Sequence, residues 1–347
     1  MSDWTAACIV EEFKYQDSTN AVQRVLKRLA DTQAAERMEK KPRKLPSPNF
    51  VLAYLSSFRP KPWPAIPENP SEGDLALQEA FKLVDEAEFN DASDKFDKAI
   101  ELGCSYMPLA LNYTGTFAFI RGDPDTAIEE FNKSLALDEK QPQVWAKRAS
   151  VQMEKGTPRI FRQRTSVTWT ELILGDRTEA MKDFAKALEV DPSDPDVYYH
   201  RGQVRFLMGD FSDAASDYAK SAELDKKFVY SQVQLGVAQY KLGQIKDSMV
   251  TFRKCLKNFK NSAEVYNYYG EILLDQGDFA QATEKFETAI ELERQSASVP
   301  GGKKVRNVMP LVNKAILSLQ WKKDALEAEK YLKEALKCMS LRICCGD

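Results

Sequence analysis

One histidine, His200, serves a chain of 347 residues. Histidine trades protons near neutral pH and is the commonest metal ligand, so most acid–base and metal chemistry is left without its usual residue. His200 stands alone within Tyr198-Tyr199-His200-Arg201-Gly202 and reads as a packing or surface side chain. The six cysteines offer little more: Cys104 and Cys255 are expected within helices, and three others crowd into the last ten residues. None has Cys-x-x-Cys or Cys/His metal spacing, so reduced thiols of a cytosolic environment are expected rather than a disulfide or zinc framework. No apolar run approaches the ~18–20 residues that span a bilayer, and no cleavable signal peptide is present. Charge of one sign is lacking as well. Lys and Arg number 49 against 52 Asp and Glu, a net charge of −3, which gives no global field for nucleic acid or an anionic membrane. Gly301-Gly302-Lys303 has no preceding strand and lacks the upstream glycine of a phosphate loop. Pairs such as Glu129-Glu130 read as solvated helix faces. No catalytic constellation, cofactor or metal is expected.

What is present is a metre. Gly122 and Gly156 lie 34 residues apart, and so do Gly175, Gly209, Gly243 and Gly277; only the 19 residues from Gly156 to Gly175 break it. A period of 34 is the tetratricopeptide length, one helix–turn–helix unit per period. The second helix of each unit repeats a small–aromatic–small pattern at helical spacing: Ala92/Phe96/Ala99, Ala127/Phe131/Ser134, Ala180/Phe184/Ala187, Ala214/Tyr218/Ser221, Ser248/Phe252/Cys255 and Ala282/Phe286/Ala289, with a degenerate copy at Ala328/Leu332/Ala335. The first helix carries its small residue twelve positions earlier, at Ala80, Gly115, Gly202, Gly236 and Gly270, and an early aromatic at Trp145, Tyr198 and Tyr266. Such a unit cannot bury its apolar face alone. The fold expected is therefore all-α, a right-handed tetratricopeptide-repeat superhelix of about seven repeats over residues 71–337, with a concave surface that binds peptides and proteins.

Two segments depart from the metre. Deleting 157–175 joins Gly156 to Asp176 as an ordinary Gly-Asp turn, like Gly122-Asp123 and Gly277-Asp278. The insert is either an evolved loop at a hairpin tip or an untranslated segment retained in the reading frame. Residues 338–347 break off where another turn and helix are due, and read as truncated or frameshifted. Residues 1–70 are not repeats. Residues 18–42 are expected to be helical, Arg37–Lys44 form a basic cluster that reads as solvated linker, and Pro62, Pro64, Pro67 and Pro70 rule out regular helix.

First-helix positions two, five, nine and twelve line the concave face of such a superhelix. Position twelve reads Phe119, Met153, Phe206, Tyr240 and Leu274, an apolar stripe. It either packs between neighbouring helices or forms a groove for hydrophobic segments, with Tyr199, Gln203, Asn267 and Glu271 as polar contacts along its wall. A clamp for a peptide carboxylate needs cations at positions five and nine. Those positions hold Asn112/Thr116, Ala146/Ser150, Tyr199/Gln203, Val233/Val237 and Asn267/Glu271, with no cation among them.

The run Asp194–Gln203, the stretches Ala263–Phe279 and Pro310–Ala315, Asp91-Ala92, Gly115-Thr116-Phe117, and the linker from Leu45-Pro46-Ser47-Pro48 to Phe58-Arg59-Pro60 together resemble the 70-kDa receptor subunits of the mitochondrial outer-membrane translocase. The likeness covers roughly residues 20–337 and is fungal in flavour. In that family an N-terminal anchor precedes a three-repeat clamp for chaperone tails, and a C-terminal superhelix binds preproteins. The resemblance implies a receptor for unfolded or carrier-type preproteins on the cytosolic face of the mitochondrial outer membrane, with preproteins and other translocase subunits as partners. The chain begins where the clamp domain would be ending, so neither anchor nor chaperone clamp is expected in it. A generic cytosolic repeat scaffold or co-chaperone is the alternative, and an enzyme subunit that positions a substrate is a third.

Overall fold

The computed structural model describes Leu45, Val51, Tyr54, Leu55, Ser57–Arg59 and residues 61–156, 177–298 and 307–340. The expected helix at 18–42, the basic cluster Arg37–Lys44, the insert 157–175, Gly301–Lys303 and the tail beyond Ser340 lie outside the described residues.

Fourteen α-helices are described, and they fall into seven pairs: α1 (Glu72–Asp85) and α2 (Phe89–Leu102), α3 (Met107–Ile120) and α4 (Pro124–Leu137), α5 (Pro142–Gly156) and α6 (Arg177–Val190), α7 (Pro195–Leu207) and α8 (Phe211–Leu224), α9 (Val229–Lys241) and α10 (Ile245–Asn258), α11 (Ala263–Asp275) and α12 (Phe279–Ser298), α13 (Met309–Leu317) and α14 (Ala325–Ser340). A single π-helical turn, Ser318–Lys322, ends at left-handed Lys323 and delivers the chain into α14. Two compact units result, Lys40–Ser231 and the residues from Gln232 onward.

The small–aromatic–small pattern is the core of every pair. Phe96, Phe131, Phe184, Tyr218, Phe252 and Phe286 are all essentially inaccessible, as are the alanines flanking them. Full burial of one such ring contributes about 1.5–3 kcal/mol, so the repeated aromatic is the main apolar anchor of each pair. The degenerate copy obeys the same rule, with Ala328, Leu332 and Ala335 buried against Leu311, Val312 and Ile316 of α13. First-helix glycines exist because these rings come so close. A Cβ on Gly202 would stand 2.9 Å from the Tyr218 ring, and one on Gly270 would stand 2.6 Å from that of Phe286.

The metrical glycines have a different task. At Gly277 the backbone takes φ +76°, which an L side chain adopts at a cost of about 1–2 kcal/mol. There the N–H of Gly277 donates to Leu274 O and that of Asp278 to Leu273 O, closing the end of α11 before α12 begins.

Two pairs are cross-braced by bidentate arginine–aspartate ion pairs. In the third, Arg148 donates to Asp183 from Nε (2.8 Å) and Nη2 (2.7 Å); in the fourth, Arg201 does the same to Asp217 at 2.9 and 2.6 Å. Each guanidinium also lies over the early aromatic of its own helix, Trp145 or Tyr198. Cys255 lies in α10 as expected, whereas Cys104 is not helical: it sits just beyond α2, buried in the connection to α3.

The described part of the proline-rich stretch is packed. Leu45 and Val51 are buried in the core of the first pairs, and Leu45 N–H donates to Asn90. Further along, the Trp63 ring stacks on Phe81 at 4.2 Å while its Nε1–H reaches Asp85. Tyr106 donates its hydroxyl proton to Ala65 O. Apart from the turn in which Ser57 N–H and Phe58 N–H donate to Tyr54 O and Leu55 O, this stretch is fixed by its side chains and by acceptors and a donor on the repeats.

Candidate peptide-binding site

In the unit Lys40–Ser231 the first helices α3, α5 and α7 bring together Asn112, Thr116, Phe119, Gln143, Lys147, Met153, Asp196 and His200, and this face is not bare. Tyr54 and Ser57–Arg59 lie on it. The Tyr54 ring meets Phe119 at 5.3 Å. Phe58 is buried in one apolar cluster with Ala146, Ala149, Met153, Val197 and Val204. Two of the five stripe residues, Phe119 and Met153, are thus covered by the chain's own aromatics. Phe206 is half-buried and meets Phe211 edge-on at 5.0 Å.

Phe58 lies between two basic groups. Its ring stacks on His200 at 4.0 Å and 20°, and Lys147 Nζ stands 5.2 Å above its centroid. Lys147 is buried, with Nζ donating to Asn112 Oδ1 (2.9 Å) and Thr116 Oγ1 (3.1 Å). Burial brings its pKa down to about 7, with nearby Lys61 adding to the fall. His200 is buried too, and burial outweighs its hydrogen bonds to bring its pKa down to about 4. A neutral ring carries one N–H. Nε2 donates it to Ser57 O at 3.0 Å, and Nδ1 stands 3.0 Å from the Gln203 side-chain amide, which also bonds the Tyr199 hydroxyl at 3.1 Å.

Beyond Phe58 the main chain itself is gripped. Asp196 Oδ2 accepts from Arg59 N–H at 2.8 Å, and Gln143 Nε2 donates to Arg59 O at 3.3 Å. The Arg59 guanidinium reaches Asp196 at 3.2 Å and Asp194 at 3.0 Å. Both carboxylates stand in the first turn of α7, where Asp194 caps the helix by accepting from Asp196 N–H. Burial raises the Asp196 pKa, and the Arg59 N–H leads the bonds that oppose the rise.

The stripe in the second unit is Tyr240 and Leu274. Both are half-buried, and the Tyr240 hydroxyl donates to Asp275 and accepts from Gln276. Beside them, Asn267 Nδ2 donates to Glu271 Oε1 at 2.8 Å, and Asn313 Nδ2 donates to Asn267 Oδ1 (2.9 Å) and Glu271 Oε1 (2.7 Å). Burial pushes the Glu271 carboxyl up to about 7 against these two bonds.

Of the wall residues, Gln203, Asn267 and Glu271 join polar networks on the first helices. Tyr199 does not line a wall: it is fully buried, edge-on to Phe228 at 4.9 Å and 6.0 Å from Tyr218. The sequence reading missed Lys147, because it looked for cations at positions five and nine and Lys147 occupies position six of α5. A lysine amid Val144, Ala146 and Ala149 was the available signal. Asp194, Asp196 and His200 stood in a quoted run but carried no assigned role. Among the described residues, no cluster of three or more His, Cys, Asp or Glu could hold a metal ion.

Comparison with known proteins agrees with the repeat architecture. Family models described as tetratricopeptide repeats match residues 77–142, 195–228, 230–262 and 263–296, and one described as TPR repeat matches 171–209. The human mitochondrial import receptor subunit TOM70 is 27% identical over 363 residues, covering 97% of this chain and 55% of that protein. Its Saccharomyces cerevisiae counterpart is 29% identical over 328 residues, covering 88% and 48%. The chain therefore spans about half the length of the curated relatives it matches. Yeast Tom70 in its crystal structure superposes with a TM-score of 0.64 at 24% identity, over 96% of this chain and 66% of that one. A tetratricopeptide repeat protein from Parabacteroides merdae gives 0.56 at 17% identity, over 77% and 93%. The fold class is all-α, that of the tetratricopeptide-repeat superhelix, and the chain is a TOM70-like tetratricopeptide-repeat protein.

Proposed function

We propose that this chain is the preprotein-binding part of a mitochondrial import receptor. It acts at the cytosolic face of the outer membrane, where it holds unfolded or carrier-type preproteins by reversible contacts and passes them to the translocase. The relatives named TOM70 supply the setting. The observation that carries the binding mode is a short stretch of polypeptide, the turn Ser57–Arg59 that follows helical Tyr54 and Leu55, on the first-helix face of the unit Lys40–Ser231, with Phe58 seated and the main chain of Ser57 and Arg59 hydrogen-bonded. A face that holds one such stretch has the donors, acceptors and apolar seats for another. Half-buried Phe206, Tyr240 and Leu274, with the amides of Gln203 and Asn267 nearby, extend the same chemistry to other first helices. None of this needs a bond to be broken, and no helix among the described residues is long and apolar enough to cross a membrane.

The test is competition. Purified chain added in excess to isolated mitochondria should slow import of a carrier-type preprotein and leave one with a cleavable presequence unaffected. Equal import of the carrier with and without folded chain would refute the assignment. The scaffold or co-chaperone reading predicts instead that a cytosolic chaperone, and not the preprotein, is retained by the immobilised chain.

A further inference from the structure

We propose that Gln143, Lys147, Asp194, Asp196 and His200 form a recognition site for a peptide in which an aromatic residue precedes arginine, and that Phe58-Arg59 is its resident, displaceable occupant. The proposal deepens the receptor reading by naming the class of segment this face takes.

The contacts are those of a peptide-reading site. Three hydrogen bonds address the occupant's main chain: His200 Nε2 to Ser57 O at 3.0 Å, Arg59 N–H to Asp196 at 2.8 Å, and Gln143 to Arg59 O at 3.3 Å. Any residue other than proline offers those groups, so they give register and not identity. Identity comes from two side chains. An aromatic ring fits the slot between the His200 ring and the Lys147 ammonium, on a floor of Ala146, Ala149, Val197 and Val204. The next residue meets two carboxylates, both at least 98% buried on the residue scale, set at the start of one helix. They point toward a guanidinium, and an acidic residue in its place would be repelled.

Displaceability follows from what the occupant contributes. It belongs to no helix pair, and the second-helix aromatics at the heart of the pairs are buried by their own first helices. The occupant is tied on both sides, by Val51, Tyr54 and Leu55 in or against the core of the first pairs and by Trp63 on Phe81, so Ser57–Arg59 can lift without releasing either anchor. Arg59 itself leaves 44% of its side chain in water. Beneath the cover, Lys147 donates to an amide and a hydroxyl rather than to a carboxylate, and His200 is held neutral. Uncovering them returns both to water and offsets part of the cost of exposing Phe58.

A fluorescent peptide of residues 54–61 is titrated by anisotropy against the whole chain, against Phe58→Ala/Arg59→Ala, and against that variant carrying Asp196→Asn. The double variant should bind the peptide at least ~10-fold more tightly than the unaltered chain, and Asp196→Asn should reverse at least ~10-fold of the gain. A folded double variant that binds no better than the unaltered chain overturns the proposal, and so does indifference to Asp196→Asn. If the double variant loses its helical circular dichroism, Arg59→Ala alone must show the gain, and its absence is equally fatal. No mitochondrion or preprotein enters this assay. Peptide binding as expected here, together with no effect of the chain on carrier import, would therefore leave the proposal standing and remove the receptor reading.

Discussion

Gly270→Ala adds one methyl group to the middle of α11 and tests the packing rule that builds every repeat. The new Cβ would stand 2.6, 2.8 and 3.1 Å from three carbons of the Phe286 ring. That ring is fully buried on α12 between Ala282 and Ala289, so it has no empty space to swing into. Overpacking of this kind costs about 1–3 kcal/mol. Exchanging glycine for alanine within a helix returns about 1 kcal/mol. The net expectation is a loss of up to about 2 kcal/mol, seen as a lower urea midpoint with an unchanged slope. Trimming the ring in Gly270→Ala/Phe286→Leu should recover part of the loss, so the double variant is more stable than the two single effects added together. Gly277→Ala separates sterics from backbone strain. Nothing lies within 4 Å of its added Cβ, yet φ is +76°, so its cost comes from the left-handed backbone and Gly277→Asn should be milder. A Gly270→Ala chain as stable as the parent would refute the reasoning that the glycine exists to admit the ring.

Three further outcomes follow. Glu271 has its pKa raised from 4.5 to about 7, so its contribution to stability is complete below pH ~4.5 and is lost as pH rises through ~7. Its side chain keeps an edge in water, which brings the expected effect to about 1–2 kcal/mol. Glu271→Gln should match the parent at pH ~4.5 and exceed it at pH ~8 in thermal melts; parallel pH curves would contradict this. Asp217 accepts from both Arg201 and Arg205; Asp217→Asn should cost about 1–3 kcal/mol in urea unfolding, and an unchanged midpoint would show the brace to be idle. A peptide ending in Glu-Glu-Val-Asp should show no micromolar binding in calorimetry, because first-helix positions five and nine carry no cation and Asp194 and Asp196 would repel its carboxylates; binding in that range would refute this.

Much of the fold was legible, for a physical reason. Each tetratricopeptide unit makes its essential contacts within one period, so Phe131 over Gly115 or Phe286 over Gly270 leaves a local signature at fixed spacing. Contacts that leave the period leave no such mark. Arg59 meets Asp196 from 137 residues away, and the stretch that carries Arg59 lies among prolines and read as a linker, although Val51, Tyr54, Leu55 and Phe58 stand at i, i+3, i+4 and i+7. Tyr199 shows the limit of position rules. Position five faces the groove where the neighbour is small, but here Phe228 and Tyr218 draw the ring into the interior. Lys147 was hidden by the opposite bias, since a lysine is assumed to be solvated until Asn112, Thr116 and two aromatic rings are found around it.

The most direct test of the account places a photo-activated benzophenone side chain at single positions and illuminates the chain with a carrier-type preprotein segment. Phe206 and Leu274 lie on the first-helix faces, while Leu137 and Val250 are second-helix residues, each 60% exposed. The account predicts adducts from Phe206 and Leu274, suppressed by excess unlabelled segment, and none above background from Leu137 or Val250. Equal labelling at all four positions, or labelling at the second helices alone, would contradict it.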